Sequence, residues 1–127
     1  MRQVIQTNKA PGAIGNYSQA IKFHQTLYVS GQIPLDPVTT SMVEGDIKAQ
    51  VMRVLDNMKA ILSAAGGAMN DVVKLTVYLT DLSAMPTVND AIALYFKKPY
   101  PARTSIQVAA LPKGALVEID AIAVFSG

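Results

Sequence analysis

The sequence predicts an α+β domain, in which a mixed and mainly antiparallel sheet of about six strands carries two helices on one face. Three observations support this fold class. Two stretches repeat apolar residues at spacings of three and four, as amphipathic helices do. Several short runs rich in strand-forming residues lie between loops that contain proline and glycine. A chain of 127 residues has the length of one domain, so residues 1–127 are expected to fold as a unit.

Three strand-like runs occupy the first part of the chain. A loop with proline and glycine, residues 8–18, separates the first run from the other two. His24-Gln25-Thr26 is a plausible hairpin turn between the second and third runs, and Pro34 and Pro37 end the sheet. The predicted strands are Val4–Thr7, Ala20–Phe23 and Leu27–Gly31.

The apolar period changes after Asp46. Apolar residues between Ile47 and Ala65 recur at spacings of three and four, which predicts an amphipathic helix of about five turns. Gly66-Gly67 is expected to end this helix as a left-handed cap. Residues Val72–Leu79 then return to alternating strand chemistry.

A second helix is predicted after Asp81-Leu82-Ser83. Pro86 suits the first turn of a helix, where its missing N–H is not needed. Met85, Val88, Ile92 and Tyr95 or Phe96 supply the buried stripe, and Pro99 and Pro101 prevent the helix from continuing.

The last quarter of the chain contains two further strands, Arg103–Val108 and Ala115–Val124. Leu111-Pro112-Lys113-Gly114 supplies a turn between them, so the two are expected to be neighbours in the sheet. Along the second strand, one face is entirely apolar and the other carries two carboxylates among apolar residues. The first face comprises Val117, Ile119, Ala121, Ala123 and Phe125; the second comprises Leu116, Glu118, Asp120, Ile122 and Val124.

Two helices can cover only one face of such a sheet. The other face includes Leu116, Ile122 and Val124, which would form an exposed apolar patch of a kind that monomers seldom tolerate. The sequence therefore predicts a homo-oligomer that buries the second sheet face, with Glu118 near the interface.

Composition excludes several classes of function. The net charge is +2, and the only adjacent basic pair is Lys97-Lys98. The sequence therefore lacks the basic patch that would indicate nucleic-acid binding. There is no cysteine and a single histidine, His24, which argues against structural zinc, thiolate nucleophiles and a Ser-His-Asp arrangement. Neither a nucleotide-binding glycine motif nor an apolar run of membrane-spanning length is present. These features favour a soluble cytoplasmic protein and give no signature of a nucleotide cofactor.

The remaining candidates for chemistry are Arg103, Glu118 and Asp120, expected on neighbouring strands. A half-buried guanidinium presents a donor fork that matches the carboxylate of a small organic acid, and a nearby glutamate could position water. An Arg and a Glu on adjacent strands also form purely structural ion pairs, so these residues alone leave both readings open. Tyr17, Ser30 and Asn89 are further polar groups expected near element ends, each with an ordinary structural alternative.

Nearly the whole chain resembles the RidA (YjgF) family of imine deaminases. The two most specific motifs are the segments Ala109–Ala115 and Val117-Glu118-Ile119 with Ala121-Ile122-Ala123. The others are Ala10-Pro11 with Ala13-Ile14-Gly15, Tyr17-Ser18-Gln19-Ala20, Val29–Pro34, Asp56-Asn57, Ala64-Ala65-Gly66, Asp71–Lys74, Thr76–Leu79, Val88-Asn89 and Tyr100–Arg103.

This resemblance implies a chorismate-mutase-like homotrimer with sites between subunits. It implies hydrolysis of the 2-imino acids that pyridoxal-phosphate-dependent Ser and Thr dehydratases release, giving 2-oxo acids and ammonia without a cofactor. Arg103 would bind the substrate carboxylate and Glu118 would activate the attacking water. The main chain of Gly31 and Ser105 would help to hold substrate or water, while Tyr17, Ser30 and Asn89 line the pocket.

The sequence departs from the family pattern at several positions. Ser105 stands where many members carry Cys, which speaks against a catalytic thiol and leaves a role for the backbone. Asn16 stands where Pro often precedes the Tyr, and Thr40-Ser41 where a turn with Gly is common. Two other functions stay open: a non-catalytic binder of small 2-oxo acids, and a ribonuclease or translation inhibitor, against which the absent basic patch argues.

Overall fold

The computed structural model describes residues 1–126, which form one six-stranded sheet with two α-helices. The order across the sheet is β1-β2-β3-β6-β4-β5, with β4 and β5 parallel and all other neighbours antiparallel. The prediction of a mixed, mainly antiparallel α+β fold is confirmed. The strands are β1 (Arg2–Ile5), β2 (Ala20–Phe23), β3 (Thr26–Gln32), β4 (Val72–Leu79), β5 (Ala102–Gln107) and β6 (Val117–Val124); the helices are α1 (Ile47–Ala64) and α2 (Met85–Tyr95).

β5 and β6 are not neighbours in the sheet, and the prediction that they are was wrong. β4 lies between them, paired with β5 on one side and β6 on the other. The connection from β4 to β5 runs through α2, which is the crossover that a parallel pair requires. Residues 108–116 then carry the chain from β5 past β4 to β6, which pairs with the other edge of β4.

α1 begins and ends at the residues that capping chemistry indicates. The Asp46 carboxylate accepts a hydrogen bond from the Ala49 amide at 3.1 Å, and it therefore satisfies a donor that the first turn leaves free. After Ala65, Gly66 adopts a φ of +87°, the left-handed conformation that glycine tolerates best.

A short 3₁₀ turn, Leu82–Ala84, leads into α2. Asp81 accepts a hydrogen bond from the Ser83 amide at 2.9 Å, and Pro86 lies in the first turn, as predicted. α2 ends before Phe96, whose amide still donates to the Ile92 carbonyl at 2.9 Å. Both predicted helices are thus confirmed.

β1 starts two residues earlier than predicted and stops at Ile5. Thr7 was expected to continue this strand, but its backbone is bonded to a side chain instead. The Thr7 amide donates to Gln19 Oε1 at 2.8 Å, and Gln19 Nε2 donates to the Thr7 carbonyl at 3.0 Å. These bonds draw the chain out of the sheet.

The core lies between the helices and one face of the sheet. The predicted apolar face of β6 is buried there, and Val117, Ile119 and Ala123 have no exposed surface. Each large aliphatic side chain buried in this way stabilises the fold by roughly 1.5–3 kcal/mol. Helix residues packed against this face include Val51, Val54, Leu55, Met58, Ile61 and Leu62 of α1 and Val88, Ala91 and Ile92 of α2.

The second face of the sheet carries exposed apolar side chains, as predicted. Val4, Tyr28, Ile106 and Val124 are 58%, 52%, 40% and 44% exposed, and Leu116 beside β6 is 39% exposed. Within residues 1–126, no helix combines the length and the apolar character that crossing a bilayer requires.

Candidate functional site

One cleft of about 470 Å³ lies where the second sheet face meets two loops. Its walls come from the loop between β1 and β2, from the end of β3, from β6 and from the 3₁₀ turn Pro112–Gly114. Four residues predicted for the site meet here: Tyr17, Ser30, Gly31 and Glu118. We call this the Glu118 cleft.

Gly31 makes room for the Glu118 carboxylate. The pairing of β3 with β6 shifts register between Val29 and Gln32, so Ser30 and Gly31 form an irregular, bulged segment beside Glu118. A methyl group at position 31 would lie 2.8 Å from the carboxyl carbon of Glu118 and overlap its oxygen. Glycine at position 31 therefore lets the Glu118 carboxylate keep this position, from which a larger residue would displace it.

The environment of Glu118 favours its protonated form more than water does. Partial burial is the larger cause of the raised pKa of this carboxyl, and the negative charge of Asp120 is the second. A carboxylate with a raised pKa is a stronger base than an ordinary one, which suits it to take a proton from water.

A buried amide fixes the loop that carries Tyr17. Besides its two bonds with Thr7, Gln19 Nε2 donates to the carbonyls of Pro11 at 2.8 Å and Ala10 at 3.3 Å. Gln19 is only 4% exposed, so these bonds are shielded from water. The loop is held through its backbone.

Tyr17 and Ser30 point polar groups at the cleft from fixed positions. The Tyr17 hydroxyl accepts a hydrogen bond from the Ile14 amide at 3.2 Å. The Ser30 hydroxyl donates to the Ser18 carbonyl at 2.6 Å, so it can offer a ligand its lone pairs.

A second cleft contains the predicted cation. Arg103 Nη1 donates to Asn89 Oδ1 at 2.6 Å, which orients the guanidinium against α2. The other walls are mainly apolar, from Leu75, Ile92, Ala93, Tyr100 and Pro101. This bond uses one of five guanidinium N–H groups, and the rest of the fork matches a carboxylate. We call this the Arg103 cleft.

The two clefts lie on opposite faces of the sheet. Arg103 is in register with Leu75, which faces the helices, whereas Glu118 is in register with Tyr78, which faces away from them. The expectation of a half-buried Arg103 on a strand next to Glu118 was wrong, since Arg103 is exposed and β4 intervenes. One chain alone does not bring these two side chains together.

Ser105 lies in neither cleft. It is in register with the fully buried Val77 on the helix face, and its hydroxyl is buried without a hydrogen-bond partner among the described residues. Asp120 accepts a hydrogen bond from the Tyr78 hydroxyl at 3.0 Å on the opposite face.

Sequence reasoning assigned no role to three residues that shape the clefts. Gln19 and Tyr100 belong to the family motifs, but neither was assigned a function from the sequence. The position of Gln19 beside the loop and of Tyr100 close to Arg103 in the sequence could have indicated their roles. Lys113 lines the Glu118 cleft. Its φ of +57° is unusual for a lysine and could not be predicted from the sequence. Within residues 1–126, no three His, Asp or Glu side chains cluster closely enough to hold a metal ion.

The fold and the clefts define a class of protein: a small α+β domain with a guanidinium on one sheet face and a partly buried carboxyl group on the other. Residues 7–125 match the endoribonuclease L-PSP family. The chain belongs to this family, which is the RidA (YjgF) family that its motifs indicate.

Individual relatives agree with this placement. The human 2-iminobutanoate/2-iminopropanoate deaminase is 49% identical over 124 residues, covering 98% of this chain and 90% of the human protein. The structure of RidA from the Antarctic bacterium Psychrobacter sp. matches with a TM-score of 0.94 and 53% identity, covering 97% of this chain and 99% of that one. E. coli TdcF with bound serine gives a TM-score of 0.92 and 42% identity, covering 98% and 99% of the two chains.

Proposed function

We propose that this protein hydrolyses 2-imino acids, such as 2-iminopropanoate and 2-iminobutanoate, to 2-oxo acids and ammonia. The observation that carries the proposal is the Arg103 guanidinium, oriented by Asn89 at 2.6 Å in a mainly apolar cleft. Such a cleft suits a small acid with a short apolar side chain. The name of the human relative supports the same reaction. The substrates would come from pyridoxal-phosphate-dependent Ser and Thr dehydratases, and no cofactor would be needed.

A complete site would require two copies of the chain. Arg103 and Glu118 lie on opposite faces of the sheet, and a substrate of a few atoms cannot span it. We therefore propose a homotrimer in which Arg103 of one protomer faces Glu118 of the next. Packing the second sheet faces together would also cover Val4, Tyr28 and Val124, which a single chain exposes.

The proposed reaction starts from an electrophilic carbon. Arg103 binds the substrate carboxylate, and Glu118 accepts a proton from water as the water oxygen attacks the imine carbon. Attack on the protonated imine gives a neutral tetrahedral adduct. Glu118 returns its proton to the amino nitrogen of this adduct, the carbon–nitrogen bond breaks, and ammonia leaves with the electron pair of that bond. The remaining hydroxyl loses its proton and becomes the carbonyl of the 2-oxo acid.

The other site residues would support this step. The lone pairs of Ser30 can accept from the N–H of the iminium, because its own proton is donated to the Ser18 carbonyl. Gly31 would keep the Glu118 carboxylate accessible. Tyr17 would close one wall, and the backbone of Ser105 would help to position the substrate.

Ammonia release from 2-iminobutanoate generated in situ tests the proposal. In Arg103→Lys the bidentate fork is lost, so affinity for substrate and for a 2-oxo acid should fall together by about 1.5–3 kcal/mol. In Glu118→Gln product binding should survive while turnover falls about a hundredfold or more. Glu44→Gln is the matched control, because Glu44 is exposed and outside both clefts.

The same experiment separates the alternatives. TdcF was crystallised with serine, so a binder of amino-acid-like carboxylates is a second candidate. A folded wild type that binds 2-oxo acids tightly but does not accelerate imine hydrolysis would support that reading. Salt-dependent RNA binding or cleavage would instead support the activity that the family description names.

A further inference from the structure

Asp120 is a second carboxylate on the same sheet face as Glu118, and the reaction above gives it no task. The two residues are two positions apart on β6, so their side chains emerge on one face about 7 Å apart. Between them and β5 lies Tyr78 of β4, which is the cross-strand partner of Glu118.

Tyr78 holds Asp120 in a defined position. Its hydroxyl donates to Asp120 Oδ2 at 3.0 Å, although its ring stands opposite Glu118. Burial, followed by the bond to Asp120, raises the pKa of Tyr78, so the hydroxyl keeps its proton and stays a donor. This hydrogen bond holds the Asp120 carboxylate on the same sheet face as Glu118.

Few other charges face Glu118 within the chain. Tyr17 and Lys113 line its cleft from the loops, and β3 contributes Ser30 and Gly31, which do not titrate. The Lys74 ammonium of β4 contacts the Thr104 hydroxyl at 2.8 Å and the Leu75 carbonyl at 3.3 Å. In the proposed trimer, the substrate carboxylate would neutralise Arg103 of the neighbouring protomer. Asp120 is the negative charge of this chain that shares the sheet face of Glu118, next to it on the same strand.

We propose that Asp120, held by Tyr78, is a positioning residue that acts through Glu118 and makes it a stronger base for water. The inference rests on the proposed deaminase function. It agrees with the two causes of the raised pKa of Glu118, burial and the Asp120 charge. A like charge nearby disfavours ionisation and brings a carboxyl closer to the pH at which a general base works best.

The test compares Asp120→Asn with the wild type in a pH profile of kcat/KM for 2-iminobutanoate. Asparagine keeps the shape and can still accept from Tyr78, but it removes the charge. The acid limb should move to lower pH by about 0.5 to 1 unit. Asp120→Glu should restore the wild-type limb. Asp90→Asn is the matched control, because it removes the same charge from the exposed side of α2, across the sheet from Glu118.

A second measurement does not depend on activity. The chain contains two glutamates, Glu44 and Glu118, so labelling glutamate with ¹³C at the carboxyl carbon gives two NMR signals that Glu44→Gln assigns. The Glu118 midpoint should fall in Asp120→Asn and stay unchanged in Asp90→Asn. An unchanged midpoint in folded Asp120→Asn would overturn the inference. A shifted midpoint in a protein that does not hydrolyse imines would refute the proposed function and leave the coupling of the two carboxylates standing.

Discussion

Two inactive variants of this protein should restore activity to each other when their protomers are mixed. The proposed site takes Arg103 from one protomer and Glu118 from the next, because the two side chains lie on opposite faces of one sheet. Arg103→Ala removes the carboxylate clamp, and Glu118→Gln removes the base. Each variant alone contains three sites that lack the same group.

The expected recovery follows from the geometry of a closed ring. In every closed trimer that contains both variants, an intact Arg103 meets an intact Glu118 at one interface in three, so mixed trimers should show about a third of wild-type activity. Each parent should show below about a tenth, since losing one charge-assisted hydrogen bond costs about 1.5–3 kcal/mol.

The assay uses two differently tagged chains that are co-expressed, purified through both tags and tested for ammonia release. Mixing Arg103→Ala with the double variant is the control, because no interface then contains both groups. A mixture no more active than the average of its parents would refute the shared site. It would mean that one chain supplies both groups, contrary to the strand order seen here.

Four further outcomes are expected. The pKa of Glu118 is raised above its ordinary value of 4.5, and the base must be ionised to act. The value of kcat/KM should therefore fall as the pH drops through a value above 4.5. A midpoint of this fall at or below pH 4.5 would contradict the expectation. Gly31→Ala should displace the Glu118 carboxylate and lower turnover at least about tenfold with little change in Tm, as turnover assays and thermal melts would reveal. Ser105→Ala removes a buried hydroxyl without a partner, so it should leave stability within about 1 kcal/mol or increase it, and retain activity; a large loss of turnover would assign the hydroxyl a role. Asn57→Ala leaves the buried Leu35 carbonyl without its 2.9 Å donor and should cost about 1–3 kcal/mol in urea unfolding, whereas a neutral result would show that water replaces the amide.

The helices could be predicted because their signals are local. The spacing of apolar residues, the Asp46 cap and the left-handed Gly66 all act within a few positions of one another. The core face of β6 was equally readable, since alternation along one strand needs no knowledge of its neighbours.

The partner of each strand was not readable in the same way. β5 and β6 are consecutive, and consecutive strands often pair, but β4 separates them through contacts distant in sequence. The nine residues between Gln107 and Val117 were a usable warning, because hairpin loops are usually two to five residues long.

The same limit applied to the candidate site. Motifs identified Arg103 and Glu118, but the face on which each side chain lies depends on the register of both strands against β4. The role of Gly31 could not be predicted either. A side chain at position 31 would overlap Glu118, which lies 87 positions away in the sequence.

Gln19 has a consequence for how this protein can change. Its side-chain amide forms hydrogen bonds with the backbone of Thr7, Ala10 and Pro11. None of these hydrogen bonds depends on which side chains the loop carries. The path of the loop therefore does not depend on the identities of its side chains. Ile14, 65% exposed at the wall of the Glu118 cleft, can be replaced by larger, smaller or charged residues while the loop keeps its course. Natural drift or deliberate redesign can therefore reshape the mouth of the cleft without rebuilding the fold.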